Sequence, residues 1–190
     1  MLKAIIDETK DAVVSAVNGV DDILSAVTGT VKNQVVGVLK GTGEIGESAV
    51  ETIASVASGA VKGVGEVGGS TADTITNTIS GVVTGASEVG TSVIDAVRGG
   101  VKGVVQATAE TGGDVGGAAV SAVRGAIKSA GDVGADTADA TKSAIGGALD
   151  AATEVGGDAV ETVRNALLST AELPRDVIES AIQGSDKKDQ

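Results

Sequence analysis

Phenylalanine, tyrosine, tryptophan, cysteine and histidine are all missing from this chain of 190 residues; its one methionine is Met1 and it has one proline. Without Cys and His there are no thiolate or imidazole metal ligands, no disulfides and no Cys- or Ser-His-type nucleophiles. Without aromatic rings there is no stacking platform for bases or sugars. Positive charge is scarce as well: 14 basic against 26 acidic side chains give a net charge of −12, which repels nucleic acid and anionic headgroups. No uncharged apolar run approaches the roughly 20 residues that cross a bilayer. At the N-terminus, Leu2 to Ile6 meet Asp7 and Glu8 before an export signal develops. These absences predict a cytoplasmic, non-enzymatic protein with no cofactor, no metal and no nucleic-acid partner.

What is present is 29 glycines, 42% hydrophobic residues and only 21% charged ones, so some surface is meant to be buried. Rows of 22 residues starting at Gly19, Gly41, Gly63, Gly85, Ala107, Ser129, Ala151 and Leu173 align without an insertion. The fourth column is acidic throughout: Asp22, Glu44, Glu66, Glu88, Glu110, Asp132, Glu154 and Asp176. Two columns on, Gly46, Gly68, Gly90, Gly112, Gly134 and Gly156 recur, replaced by Leu24 in the first row and Ile178 in the last. Such end rows resemble the atypical terminal units of a repeat array.

Within a row the apolar positions step by four and then three, as in Ile45, Ala49, Ile53, Ala57, Val61, Val64 and Val67. Six steps over one row make about 3.67 residues per turn, the hendecad spacing that keeps a stripe nearly straight along an α-helix. The stripe includes Ile45, Ile53, Val61, Val67, Ile75, Val83, Val89, Val97 and Val105. Acids such as Glu44, Glu51, Glu66 and Asp73 face away from it, and Lys32, Arg98, Lys142 and Arg164 border it, their stems free to lie along it. A β-solenoid rung of 22 residues would need period-two alternation and turn residues at fixed corners, and the columns do not show them. Breaking each row at Gly41-Thr42-Gly43 or Gly63-Val64-Gly65 is a second alternative, but later rows place Ala107-Thr108-Ala109 and Ala151-Ala152-Thr153 there, at home in a helix.

The spacing therefore predicts an all-α chain: a long, continuous, Gly/Ala/Val-rich hendecad helix over 1–173, a bend near Pro174, a terminal helical segment over 174–184 and a polar tail over 185–190. Each interior Gly costs about 1 kcal/mol relative to Ala, so such a helix needs partners over its stripe. Gly46, Gly68, Gly90, Gly112, Gly134 and Gly156 are the expected packing glycines, letting helices approach closely.

Val14 to Asp22 (Val-Ser-Ala-Val-Asn-Gly-Val-Asp-Asp), Thr28 to Lys32 (Thr-Gly-Thr-Val-Lys) and Gly59 to Gly65 (Gly-Ala-Val-Lys-Gly-Val-Gly) resemble the 11-residue repeats of perilipin- and synuclein-type proteins. Similar elevens occur in late-embryogenesis-abundant proteins and in an extended helical antifreeze type. The resemblance spans roughly 1–173 and implies lipid-surface coating, desiccation protection or ice binding. The lipid-coating families are richer in Lys, and the acidic balance here opposes anionic membranes.

The remaining motifs read as repeat features. Gly41-x-Gly43-x-x-Gly46 and Gly63-x-Gly65-x-x-Gly68 match a dinucleotide fingerprint, but two copies 22 residues apart are repeat columns, not one loop after a strand. Acids 22 apart on a continuous helix lie about 33 Å apart and cannot share an ion. Asp132, Asp136 and Asp139 lack a calcium-loop geometry. Thr71, Thr74, Thr76 and Thr78 scatter around the helix instead of forming a flat face. The expected function is a structural protein that self-associates through its Gly/Ala/Val face into a fibre, sheet or coat; a coat on a neutral lipid droplet, apolar granule or membrane is the alternative partner reading, and stress protection a third.

Overall fold

A computed structural model of the chain describes residues 2–17, 23–42, 47–66, 71–170, 175–176 and 178–180. They form helices α1 (Leu2–Val17), α2 (Ile23–Thr42), α3 (Glu47–Glu66), α4 (Thr71–Glu88), α5 (Val93–Glu110), α6 (Val115–Asp132), α7 (Thr137–Val155) and α8 (Ala159–Ser169). The all-helical expectation holds; the continuous helix does not. From α4 to α8 one helix and one short turn occupy each repeat, so the described residues form separate helices.

The turns are built by local chemistry at the positions read above as packing sites. Gly90, Gly112 and Gly134 have φ of 72°, 71° and 76°, a left-handed conformation that glycine adopts without a Cβ penalty. At the end of α4, Gly90 N–H donates to Ser87 O at 3.2 Å and Thr91 N–H to Ala86 O at 3.0 Å. These two bonds are the Schellman closure of a helix C-terminus. The same pair recurs as Gly112 to Ala109 and Gly113 to Thr108, and as Gly134 to Gly131 and Ala135 to Ala130. Two residues after each glycine stands a cap for the next helix: the Ser92 hydroxyl accepts from Asp95 N–H, the Asp114 carboxylate from Gly117 N–H, and the Asp136 carboxylate from Ala138 and Asp139 N–H. Gly156, φ 78°, ends α7.

Gly90, Gly112, Gly134 and Gly156 therefore terminate helices; a Cβ built on any of them meets nothing within 4 Å. Gly46 and Gly68 lie outside the described residues, as do Ile45, Val67, Pro174 with its expected bend, and the tail over 185–190. Of the two alternative break sites, Gly63-Val64-Gly65 sits inside α3, whereas α2 ends at Thr42, within Gly41-Thr42-Gly43.

Packing follows from these lengths. From α1 to α7 the helices lie more extensively on the next but one than on the sequence neighbour, α1 on α3 on α5 on α7 and α2 on α4 on α6, while α6 rests equally on α7 and α8. Two interleaved stacks result, with one contiguous core between and within them. Its residues include Val13, Val31, Val35, Ile53, Ile75, Ile79, Val97, Val101, Ala122, Val123, Ile145 and Leu167, each at most 1% exposed. The sequence stripe maps onto it: Ile53, Val61, Ile75, Val83, Val97 and Val105 are buried, and Val89 packs against the core from the α4–α5 turn.

Three substitutions separate the kinds of position. Gly134→Ala forces a Cβ into the left-handed region and should cost about 1–2 kcal/mol. Thr78 is fully buried with a hydroxyl that finds no partner, so Thr78→Val should stabilise by about 1 kcal/mol. Gly65→Ala, at an open helical site in α3, should stabilise by about 0.5 kcal/mol. Urea denaturation checks all three, and a stabilised Gly134→Ala would contradict the turn geometry.

Candidate functional site: the glycine column and the ionic ladder

The column that brings helices together is a different one: Gly59, Gly81, Gly103, Gly125 and Gly147, 22 residues apart. All five are buried. A Cβ on Gly59 would stand 2.5 Å from Ile6 O and 2.9 Å from Thr9 Cβ; on Gly81, 2.7 Å from Thr28 O and 2.8 Å from Val31 Cβ. Gly103 presses on the backbone of Ala54, Gly147 on that of Arg98, and Gly125 comes within 3.2 Å of Thr76 Cα in the same sense. One turn later Gly63 and Gly85 repeat the approach against Lys10 and Lys32 carbonyls, both at 2.9 Å. Residues four apart form one ridge of a helix, and here that ridge is stripped to backbone so that the helix two places earlier can seat against it.

Ion pairs close the outer margin of the same contacts. Lys10 Nζ meets Glu66 at 3.0 Å and Lys32 Nζ meets Glu88 at 2.9 Å, both pairs 56 positions apart. Lys62 meets Glu110 at 2.5 Å, and Arg98 meets Asp150 at 2.5 Å. Lys102 is the centre of the ladder: its Nζ lies 2.7 Å from Glu51 on α3 and 2.7 Å from Glu154 on α7, its side chain only 8% exposed. Gln106 donates to the other oxygen of Glu154. Glu66, Glu88 and Glu110 are the last residues of their helices, where the negative end of the helix dipole disfavours a carboxylate. A cation from two helices back offsets that penalty.

The electrostatic consequences have definite signs. The hydrogen bond and charge of Lys32 hold the Glu88 carboxyl below its ordinary range. The hydrogen bond and charge of Glu66 hold Lys10 above its ordinary value. Burial pushes Lys102 down, but hydrogen bonds to Glu154 and Glu51 outweigh it and leave the ammonium raised above 10.5.

A shallow cleft of about 390 Å³ opens between the ends of α5 and α7, lined by Gln106, Ala109, Glu110, Glu154 and Val155. Its two carboxylates are engaged by Lys62, Lys102 and Gln106. Among the described residues no group of three or more acidic side chains is placed to hold a metal ion, and no helix is long and apolar enough to cross a membrane.

Sequence reasoning found the border cations Lys32 and Arg98 and the acidic column, and it missed both the Gly59 column and Lys102. The signal for the first was present: that column holds Gly in six successive rows, from Gly37 to Gly147.

No family model matches the chain, and no curated protein does. Among solved structures, the crystal structure of a de novo designed helical repeat protein, DHR7, resembles it with a TM-score of 0.50 and 16% identity, over 98% of this chain and 94% of that one. That likeness concerns the helical repeat fold.

The ladder predicts stability loss at both ends of the pH scale. Glu88, with its lowered folded pKa, contributes above its unfolded value near 4.5, and that contribution is lost as pH falls through the folded value. Lys10 and Lys102, raised when folded, contribute below 10.5 and lose it as pH climbs through their folded values. Replacing Glu51 and Glu154 together by Gln strands a buried ammonium and should cost about 1–3 kcal/mol, after discounting for the roughly half-exposed carboxylates. Lys102→Met should cost less. Denaturant midpoints across pH, with the reverse order for the two variants as the contrary result, decide it.

Proposed function

We propose that this chain is a non-enzymatic structural protein, a helical repeat scaffold that self-associates through a Gly/Ala/Val helical face. The observation that carries this reading is the fate of the glycine column at the start of the stack. In α3 to α7 the column seats the helix two places earlier; in α2 the same column holds Gly37, with Gly41 one turn on, and nothing lies within 4 Å of a Cβ built on either. A helix surface made for close approach is thus left open to another chain.

The alternative, a coat on neutral lipid or an apolar granule, requires a broad apolar face turned outward. Among the described residues the large hydrophobics exposed are Leu2, Leu24 and Val155, and the stripe that would meet lipid fills the core. The folded stack therefore supports self-association over coating, and a lipid role would require the stack to open. A catalytic role has little to stand on: the carboxylates of the α5–α7 cleft are tied to basic and amide partners.

Sedimentation of the purified chain over a wide concentration range, with flotation beside neutral-lipid emulsion, tests the reading. Mass that rises with concentration and stays in the aqueous fraction is expected. A chain that remains a monomer throughout and floats with the emulsion would replace it by the coat.

A further inference from the structure

We infer that α8 is a releasable strap: with the helical residues 178–180 beyond it, it leaves the end of the stack as one unit while α1 to α7 remain folded, and the α7–α8 turn is its hinge. Two occurrences of one tripeptide carry the argument. Gly112-Gly113-Asp114 and Gly156-Gly157-Asp158 stand at equivalent places, two rows apart, yet they close their helices differently. At the first, Gly112 is left-handed and Gly113 is not; Gly112 N–H donates to Ala109 O at 3.1 Å and Gly113 N–H to Thr108 O at 2.8 Å. The Asp114 carboxylate then caps α6 by accepting from Gly117 N–H.

At the second, Gly156 has φ 78° and ψ −170°, and Gly157 has φ 60°. The Gly156 conformation is open essentially to glycine alone. Gly156 N–H takes the Ala152 carbonyl, the acceptor that the second bond of a Schellman closure would use. Asp158, at φ −84° and ψ 4°, makes no side-chain bond to the start of α8, so the contribution of an N-cap is missing there. One sequence thus forms a closed, capped turn after α5 and an uncapped one after α7.

The seat of α8 is looser than those before it. From α3 to α7 the glycine column is buried and meets the backbone of the helix two places earlier; in α8 the same column holds Ser169, which is exposed. Where α6 meets α8 at Gly116, the atoms nearest to a built Cβ are side-chain carbons, Ala166 Cβ at 3.1 Å and Thr162 Cγ2 at 3.4 Å. Of the 11 residues of α8, Val163 and Leu167 are buried, and beyond it Ile178 is buried as well. The helix at the other end is gripped more firmly: Gly59 and Gly63 press on the Ile6 and Lys10 carbonyls of α1, and Lys10 pairs with Glu66. Few buried apolar contacts and an uncapped start on a glycine hinge are the features of a segment that opens below the global unfolding free energy. Release bares the α6 flank at Gly116 and leaves the ladder from Lys10 to Glu154 in place.

Hydrogen exchange of the full chain, read by mass spectrometry of its fragments, tests the strap. In the wild type, amides over 163–169 should exchange at least about 100-fold faster than those over 97–108. Leu167→Ala should speed α8 at least about tenfold further and leave α3 to α5 unchanged, whereas Val101→Ala should speed α5 and leave α8 unchanged. If Leu167→Ala speeds every helix alike, or if wild-type α8 exchanges no faster than α5, the stack opens as one body and the strap is wrong. Gly157→Ala tests the hinge, because alanine is penalised at the left-handed φ of position 157 but stands at the same place in the closed turn Gly134-Ala135-Asp136. That variant should speed exchange of α8 several-fold without altering α1 to α5. Unchanged or slower exchange of α8 there overturns the assignment of the hinge.

Discussion

Backbone-to-backbone approach across the glycine column is the constraint on which this structure depends. With no aromatic and few large aliphatic side chains, the chain cannot fill wide gaps between helices, so it closes them. At Gly59 and Gly81 the helix two places earlier sits where a Cβ would be, and valine and alanine of about the same reach line the rest of the contact. Many small dispersion contacts at high density take the place of a few large side chains. The destabilising propensity of glycine inside a helix is offset by contacts that only a bare ridge allows.

The ionic ladder is the polar counterpart of that approach. A carboxylate at the last residue of α3, α4 or α5 weakens its own helix, and only a cation two helices back relieves it. Each helix end is therefore more stable in the stack than alone, which ties local helix formation to tertiary order. Lys102 extends the same logic across three helices, since Glu51 and Glu154 reach it from opposite sides.

The period, the all-helical class and the core positions were legible in the sequence; the architecture was not, and the reason is one of phase. From α4 to α7 a row consists of 18 or so helical residues and about four in the turn. Four residues are close to one helical turn, so the apolar stripe resumes after each break at nearly the angle an unbroken helix would have given it. Periodicity alone could not reveal the interruption. Local chemistry could: Gly90, Gly112 and Gly134 each stand two residues before Ser92, Asp114 or Asp136, a helix stop followed at once by a helix start. The packing column was mistaken for the same reason, because glycine serves two unlike purposes in one repeat, a left-handed turn at Gly112 and a bare ridge at Gly103. Composition counts them together, and the backbone angle separates them.

The order of contacts also sets how the molecule bears load. Because α3 rests on α1 and α5 while α4 rests on α2 and α6, every joint in one stack is spanned by the body of a helix in the other, as courses of brick overlap their mortar. A pull along the stack cannot part α3 from α5 without also parting α4 from one of them, so each opening breaks contacts in both stacks at once.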